Sequence, residues 1–316
     1  MLGGMHMRRT TRSLLVLGLV LLLTLFSVSL MAAQPGAPIS DDGPAPAGVN
    51  APPAQPASPA PRNPSADLFD NGPLVNSPGT GPGGSDESIA RNVTVGLTSR
   101  GFNVSASGAF RISDDFAIPS GESWQITGVR LYVYMGGSPT SPSPFTAVNY
   151  QIWNGPPSDP SSTVVFGDTT TNRLVSSTWA NMYRRQESTP TDYTRPVFVL
   201  NNSAGVTLAP GHYFIDWQVD GDINYTGPWQ PPVTIDGQTS TGDAQQMVSG
   251  VWQAVVDSGL QTPLGAPFVI EGTVVNPTAV ELSNLDSDSA SSLSWLPLAI
   301  LALLTAGLTL RRRMAR

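Results

Sequence analysis

Trp124-Gln125-Ile126-Thr127-Gly128-Val129-Arg130-Leu131-Tyr132-Val133-Tyr134-Met135 is the stretch whose pattern decides the fold. From Val129 onward the side chains alternate with a period of two, which is the signature of a strand with one buried face. Val129, Leu131, Val133 and Met135 fall on the core side, and Arg130, Tyr132 and Tyr134 on the other. Two further stretches alternate in the same way. In 147–153, Val148, Tyr150 and Ile152 point one way, and Asn149, Gln151 and Trp153 the other. In 212–218, Tyr213, Ile215 and Trp217 read as core, opposite His212, Phe214, Asp216 and Gln218.

Working outward, short β-branched and aromatic runs recur between Gly, Pro, Asn and Ser clusters. Strands are predicted over 92–97, 108–112, 124–135, 146–153, 163–166, 181–186, 194–200, 205–208, 212–219, 246–251 and 267–275. No amphipathic helix of three turns interrupts them. The expected fold is all-β: a single antiparallel β-sandwich, jelly-roll-like, over residues 86–276. A domain of about 190 residues buries an ample core.

The flanks have a different character. Residues 34–85 hold 13 Pro, interleaved with Ala, Gly, Ser and Asn. Pro at that density favours extended, disordered chain, so a linker is expected there. Arg8, Arg9 and Arg12 precede an apolar run that ends at Ala32 and Ala33, and so 1–33 reads as an export signal or an uncleaved N-terminal anchor. A Ser/Asp-rich spacer, 277–294, leads to an apolar run, 295–310, followed by Arg311, Arg312, Arg313 and Arg316. Sixteen helical residues reach about 24 Å, and snorkelling and bilayer thinning cover the shortfall against the hydrocarbon core. With 311–316 cytoplasmic by the positive-inside rule, everything between the two hydrophobic helices lies outside the membrane. The membrane is thus a partner through the C-terminal helix.

Composition removes whole classes of chemistry. The chain has no Cys, and all 16 basic residues are Arg. Thiol catalysis, disulfides, Cys-based metal sites and Schiff-base lysines are excluded. Of the two His, only His212 lies beyond the leader, so a multi-histidine metal centre is excluded too. Between 34 and 294 there are 9 Arg against all 23 acidic residues. So acidic a surface repels polyanions, and nucleic acid is not an expected partner.

The spacer, apolar helix and terminal Arg cluster resemble the tripartite C-terminal sorting tails of bacterial surface proteins, the PEP-CTERM type among them. The Pro-Glu-Pro signature is missing, as is Leu-Pro-x-Thr-Gly. The β region resembles a secreted bacterial surface domain often joined to such tails. The likeness rests on Asp114-Asp115-Phe116, Trp124-Gln125-Ile126, 129–134, 148–153, Val165-Phe166-Gly167-Asp168, Met182-Tyr183-Arg184, Leu208-Ala209-Pro210-Gly211 and 267–272. The resemblance implies a sandwich fold, export and cell-surface display, and no established activity.

If the three alternating strands share a sheet, one face carries Arg130, Tyr132, Tyr134, Asn149, Gln151, Trp153, His212, Phe214, Asp216 and Gln218. Aromatic rings cover the apolar faces of sugars, and amides and carboxylates bind their hydroxyls. A non-catalytic surface that binds envelope or matrix polysaccharide is therefore expected. An ordinary exposed or covered sheet face has the same composition, and contact with other surface proteins is the alternative function. No cofactor is expected. Calcium is the one metal to consider, at Asp220, Asp222 and Asn224, where oxygen ligands alternate as in a calcium loop. The loop's later Gly and Glu are missing, and Asp, Gly and Asn also simply favour turns. Asp114 and Asp115 are a weaker option. A glycosidase needs two facing carboxylates, for which Glu122 and Glu271 are the candidates, with no motif around either.

Overall fold

A computed structural model describes residues 66–275. Within them Trp124–Met135 forms most of one long strand, and Val129, Leu131, Val133 and Met135 are all fully buried, as the alternation requires. In chain order the strands are β1 (Ala66–Asp70), β2 (Asp86–Ala90), β3 (Phe102–Asn103), β4 (Arg111–Ile118), β5 (Ser123–Gly136), β6 (Phe145–Trp153) and β7 (Val164–Asp168). Then come β8 (Leu174–Gln186), β9 (Pro196–Leu208), β10 (Gly211–Gly221), β11 (Thr226–Gln230), β12 (Gln245–Val248), β13 (Val251–Ala254) and β14 (Phe268–Val275). The fold is all-β.

Two sheets make the sandwich. The first runs β1-β14-β5-β9-β8-β2, with β11 and β3 attached at β5; the second runs β13-β12-β4-β10-β6-β7. Their inner faces meet through aromatic pairs that cross between the sheets: Phe116 on Trp124, Trp217 on Phe268 and Phe145 on Phe198, with centroids 6.3, 5.9 and 5.5 Å apart. Such pairs add to the burial of large apolar area. The Trp217 indole reaches the fully buried Gln230, whose Oε1 accepts from Nε1 at 3.1 Å, so the core polar group is not left unpaired.

Several expectations need correction. The linker does not extend to residue 85. Ala66–Asp70 is an edge strand paired with β14, Phe69 packs on Phe268 and Phe116, and Leu74 is buried. A five-residue strand among prolines has too short a pattern to announce itself. Residues 92–97 form a turn, although Val93, Val95 and Leu97 alternate. Val95 and Gly96 N–H both return to the Arg91 carbonyl, and the Glu187 carboxylate accepts from the N–H groups of Val93 and Thr94. The 246–251 run is a hairpin, bent where Ser249 and Gly250 take positive φ. The 194–200 and 205–208 runs, apart from Thr194 and Arg195, belong to one strand, β9. The sandwich is not wholly antiparallel either, because β2 joins β8 in parallel. The segments expected as signal, anchor helix, spacer and Arg cluster, with the linker up to residue 65, lie outside the described residues. No helix among the described residues is long and apolar enough to cross a membrane.

Candidate functional site

The ten side chains expected on one face divide between the two sheets. Arg130, Tyr132 and Tyr134 stand on β5 in the first sheet, whereas the other seven stand on β6 and β10 in the second. All ten face away from the core, so the two sets lie on opposite outsides of the sandwich. Alternation gives the face of each strand but not which strands are neighbours.

The first set is largely covered and internally paired. Tyr134 is fully buried in a second small core with Leu74, Met182, Val197 and Trp229, and Tyr132 packs against its edge. Arg130 is held between Asp67 at 2.5 Å and Glu271 at 3.1 Å. Burial pushes the Glu271 carboxyl above its ordinary range, and Arg130 opposes that shift. The other glycosidase candidate, Glu122, accepts from Trp124 Nε1 at 2.9 Å in the turn before β5. Glu271 pairs with Gly128, six residues further along β5, on the order of 20 Å away. A catalytic pair needs about 5–9.5 Å, so the structure does not bring these two together.

The second set does converge, in register. Trp153, Phe214 and Asp115 make one cross-strand row over β6, β10 and β4. Gln151, Asp216, Ser113 and Gln245 make the next, over β6, β10, β4 and β12. Asn149 lies beside Gln218, and further across Arg111, Met247 and Trp252 are aligned. A polar row thus runs between rows that carry indole rings. Trp153 and Trp252 are four strand steps apart, about 19 Å between strand axes.

Arg111 organises the centre. Its Nε donates to Asp216 at 2.8 Å, its Nη2 donates to both Asp216 oxygens and to Gln151 Oε1, and its guanidinium lies 5.4 Å from the centroid of the Trp252 ring. Trp153 Nε1 donates to the remaining side of Asp216. Full burial pushes the Asp216 carboxyl up, while Arg111 and Trp153 pull it back. Phe214 and Asp216 are buried within this network; Gln151, Trp153, Gln218 and Trp252 are half-buried, and His212 stands exposed at the rim on Asp115. In the same row Ser113 Oγ and Gln245 Oε1 are buried and have no hydrogen-bond partner among the described residues. A buried polar group left so costs about 1–3 kcal/mol, which makes the two atoms conspicuous. Arg111, Ser113 and Gln245 escaped the sequence reading. Extending the 108–112 strand by six residues would have shown Arg111, Ser113 and Asp115 on one face.

The 220–224 stretch runs from the end of β10 into a turn: Asp220 is next to last in the strand, and Asp222 Oδ1 accepts from Asn224 N at 2.9 Å and Nδ2 at 2.7 Å. The acidic groups that come together among the described residues are Asp114, Asp115 and Asp243, with carboxylate oxygens within 4.8 Å of one another. Asp114 faces the core side and accepts from Asn71 Nδ2 and Ala266 N, both at 2.7 Å, and from Asp115 N at 2.9 Å. Burial, reinforced by Asp115 and Asp243, pushes its carboxyl up to about 7.

A stability prediction follows from that shift. Between pH 4 and 7 the folded chain holds a proton on Asp114 that the unfolded chain has lost, so stability rises on acidification, by up to about 1.4 kcal/mol per pH unit. Asp114→Asn is expected to flatten this part of the profile. Urea midpoints of both proteins from pH 8 to pH 5 check it, and parallel profiles would refute it.

No protein-family model matches this chain, and no curated protein or solved structure matches it, so the chemistry of the face stands on its own geometry.

Proposed function

We propose that this is a non-catalytic surface-display protein whose β-sandwich binds polysaccharide through the outer face of its second sheet. The observation that carries the reading is the polar row Gln151–Asp216–Ser113–Gln245 lying in register between Trp153 and Trp252. Rings for the apolar faces of sugars and hydrogen-bonding groups for their hydroxyls are the two things such a ligand needs. The end-to-end arrangement agrees with display from two flanking tethers. Ala66 pairs with Gly272 near the end of β14, so the first and last described residues lie at one end of the sandwich.

The test is binding of the full chain, in detergent, to immobilised polysaccharides. A Trp153→Ala/Trp252→Ala double variant is expected to lose at least about tenfold in affinity. Tyr132→Ala, on the opposite sheet, should bind as the parent does. Equal losses in both variants, or no binding to any polysaccharide, would dispose of the reading.

A protein-contact reading draws on a different observation. The edge strand β7 exposes Val164 and Val165, and Val175 on β8 is 70% exposed. Unpaired edges with apolar side chains favour strand-to-strand association. Val165→Lys would then abolish concentration-dependent assembly in sedimentation without touching glycan binding.

A further inference from the structure

The polar row is satisfied at one end and open at the other. Both oxygens of Asp216 are engaged by Arg111 and Trp153, and Gln151 Oε1 accepts from Arg111. Ser113 Oγ and Gln245 Oε1, directly opposite one another on β4 and β12, are not engaged by any described residue. Ser113 is fully buried, and it is flanked across the strands by Asp216 on one side and Gln245 on the other. Together they offer one hydroxyl that can donate and one carbonyl that can only accept. A single ligand hydroxyl satisfies both, accepting from Ser113 Oγ–H and donating to Gln245 Oε1.

The charges around the pair decide which hydroxyl-bearing ligand fits. Arg111, the cation that reaches this row from the next, is engaged by Asp216 and Gln151 and lies over Trp252. The Asp115 carboxylate, in the row beside Ser113, lies within 4.8 Å of that of Asp243 and carries His212. An incoming carboxylate or sulfate would meet acids and an already neutralised arginine, which is unfavourable. A neutral sugar loses nothing there.

Resting on the polysaccharide reading, we propose that Ser113 and Gln245 form a hydroxyl-binding subsite, and that the face selects neutral sugar units over uronate or sulfated ones. Gln245 is half-buried on the short β12–β13 hairpin, at the open end of the row. Trp252, in the next row, covers the ring of the same sugar.

The experiment uses the full chain in detergent with laminarin, dextran and galactomannan as neutral probes, and alginate and dextran sulfate as anionic ones, at low and high salt. At least one neutral polymer is expected to bind independently of salt, with no binding to the anionic pair. Ser113→Ala, which removes a single unsatisfied buried oxygen, should melt no lower than the parent and lose about tenfold in affinity; Gln245→Ala is expected to lose affinity to a similar extent. Neutral binding that Trp153→Ala weakens and Ser113→Ala does not would overturn the subsite and leave the face. Preference for the anionic polymers would overturn the selectivity. Absence of binding to every probe would remove the polysaccharide reading, and this inference with it.

Discussion

A chain that begins at Asp86 will not fold, whereas one that begins at Ala66 will. The difference is twenty residues that read as linker by composition and act as part of the core. Phe69 lies 5.5 Å from Phe268 and 6.2 Å from Phe116, ring centre to ring centre, and closes the open side of the first sheet. Leu74 seals the outer cluster of Tyr134, Met182, Val197 and Trp229. Losing a buried Leu or Phe side chain costs roughly 2–5 kcal/mol, and stripping Asn71 from the buried Asp114 costs about 1–3 more. The segment also ties down β2, through Asn76 to Ile89 and Thr80 to Glu87. Together these losses reach the total stability of a typical domain, about 5–15 kcal/mol. The near-ultraviolet circular dichroism and cooperative melting of the two truncations decide the matter. A cooperative melt in the shorter chain at the same temperature would show that β1 is an accessory strand. Leu74→Ala in the longer chain isolates one contribution, and a loss of about 2–5 kcal/mol is expected.

How far the sequence could be read follows from which physical signals are local. The core faces of β5, β6 and β10 were legible because alternation is a property of one strand: Val129, Leu131, Val133, Val148, Tyr150, Ile152, Ile215 and Trp217 are all buried. Strand adjacency is not local. The register that separates Arg130 from Asp216 is set by the crossings between sheets, and no residue in either strand carries that information. The same limit explains Tyr134. Its exposure depends on Leu74 and Trp229, which arrive from distant segments. On the second sheet, seven of the expected residues share a face because β6 and β10 are true neighbours, whereas Arg111 was passed over because the β4 run was ended just where its alternation begins. The turn at 92–97 shows the converse error. Val93, Val95 and Leu97 have a strand's pattern, yet Gly96 takes φ 89° and the Glu187 carboxylate holds the loop closed.

Removing Arg111 is expected to cost about 3–5 kcal/mol, because it leaves a fully buried carboxylate without its cation. The Asp216 side chain is 1% exposed and Arg111 only 12%, so solvent does little to screen this pair. An exposed ion pair would be worth a few tenths to about 1 kcal/mol, and that gap makes the experiment decisive. The pH dependence gives a second readout. Burial already pushes the Asp216 carboxyl up, and Arg111 is the main influence holding it down. In Arg111→Ala the folded-state value rises further above the unfolded one, so folding takes up a proton. The deficit is therefore largest at neutral pH and shrinks as pH falls towards 4. Asp216→Asn in the Arg111→Ala background should recover more than half of the loss, since the buried charge is then gone and Trp153 Nε1 still has an oxygen to donate to. Trp252→Ala removes only the ring beneath the guanidinium, about 0.5–1 kcal/mol. Urea unfolding of the four proteins at pH 5 and pH 8 yields all of these numbers. If Arg111→Ala unfolds within 1 kcal/mol of the parent at both pH values, Asp216 is not held as a buried ion, and the face must be looser and wetter than the network implies. If the large loss is found, the Arg111–Asp216 pair belongs to the stability of the second sheet. The affinity lost in Ser113→Ala can then be assigned to recognition, because that substitution leaves the pair untouched.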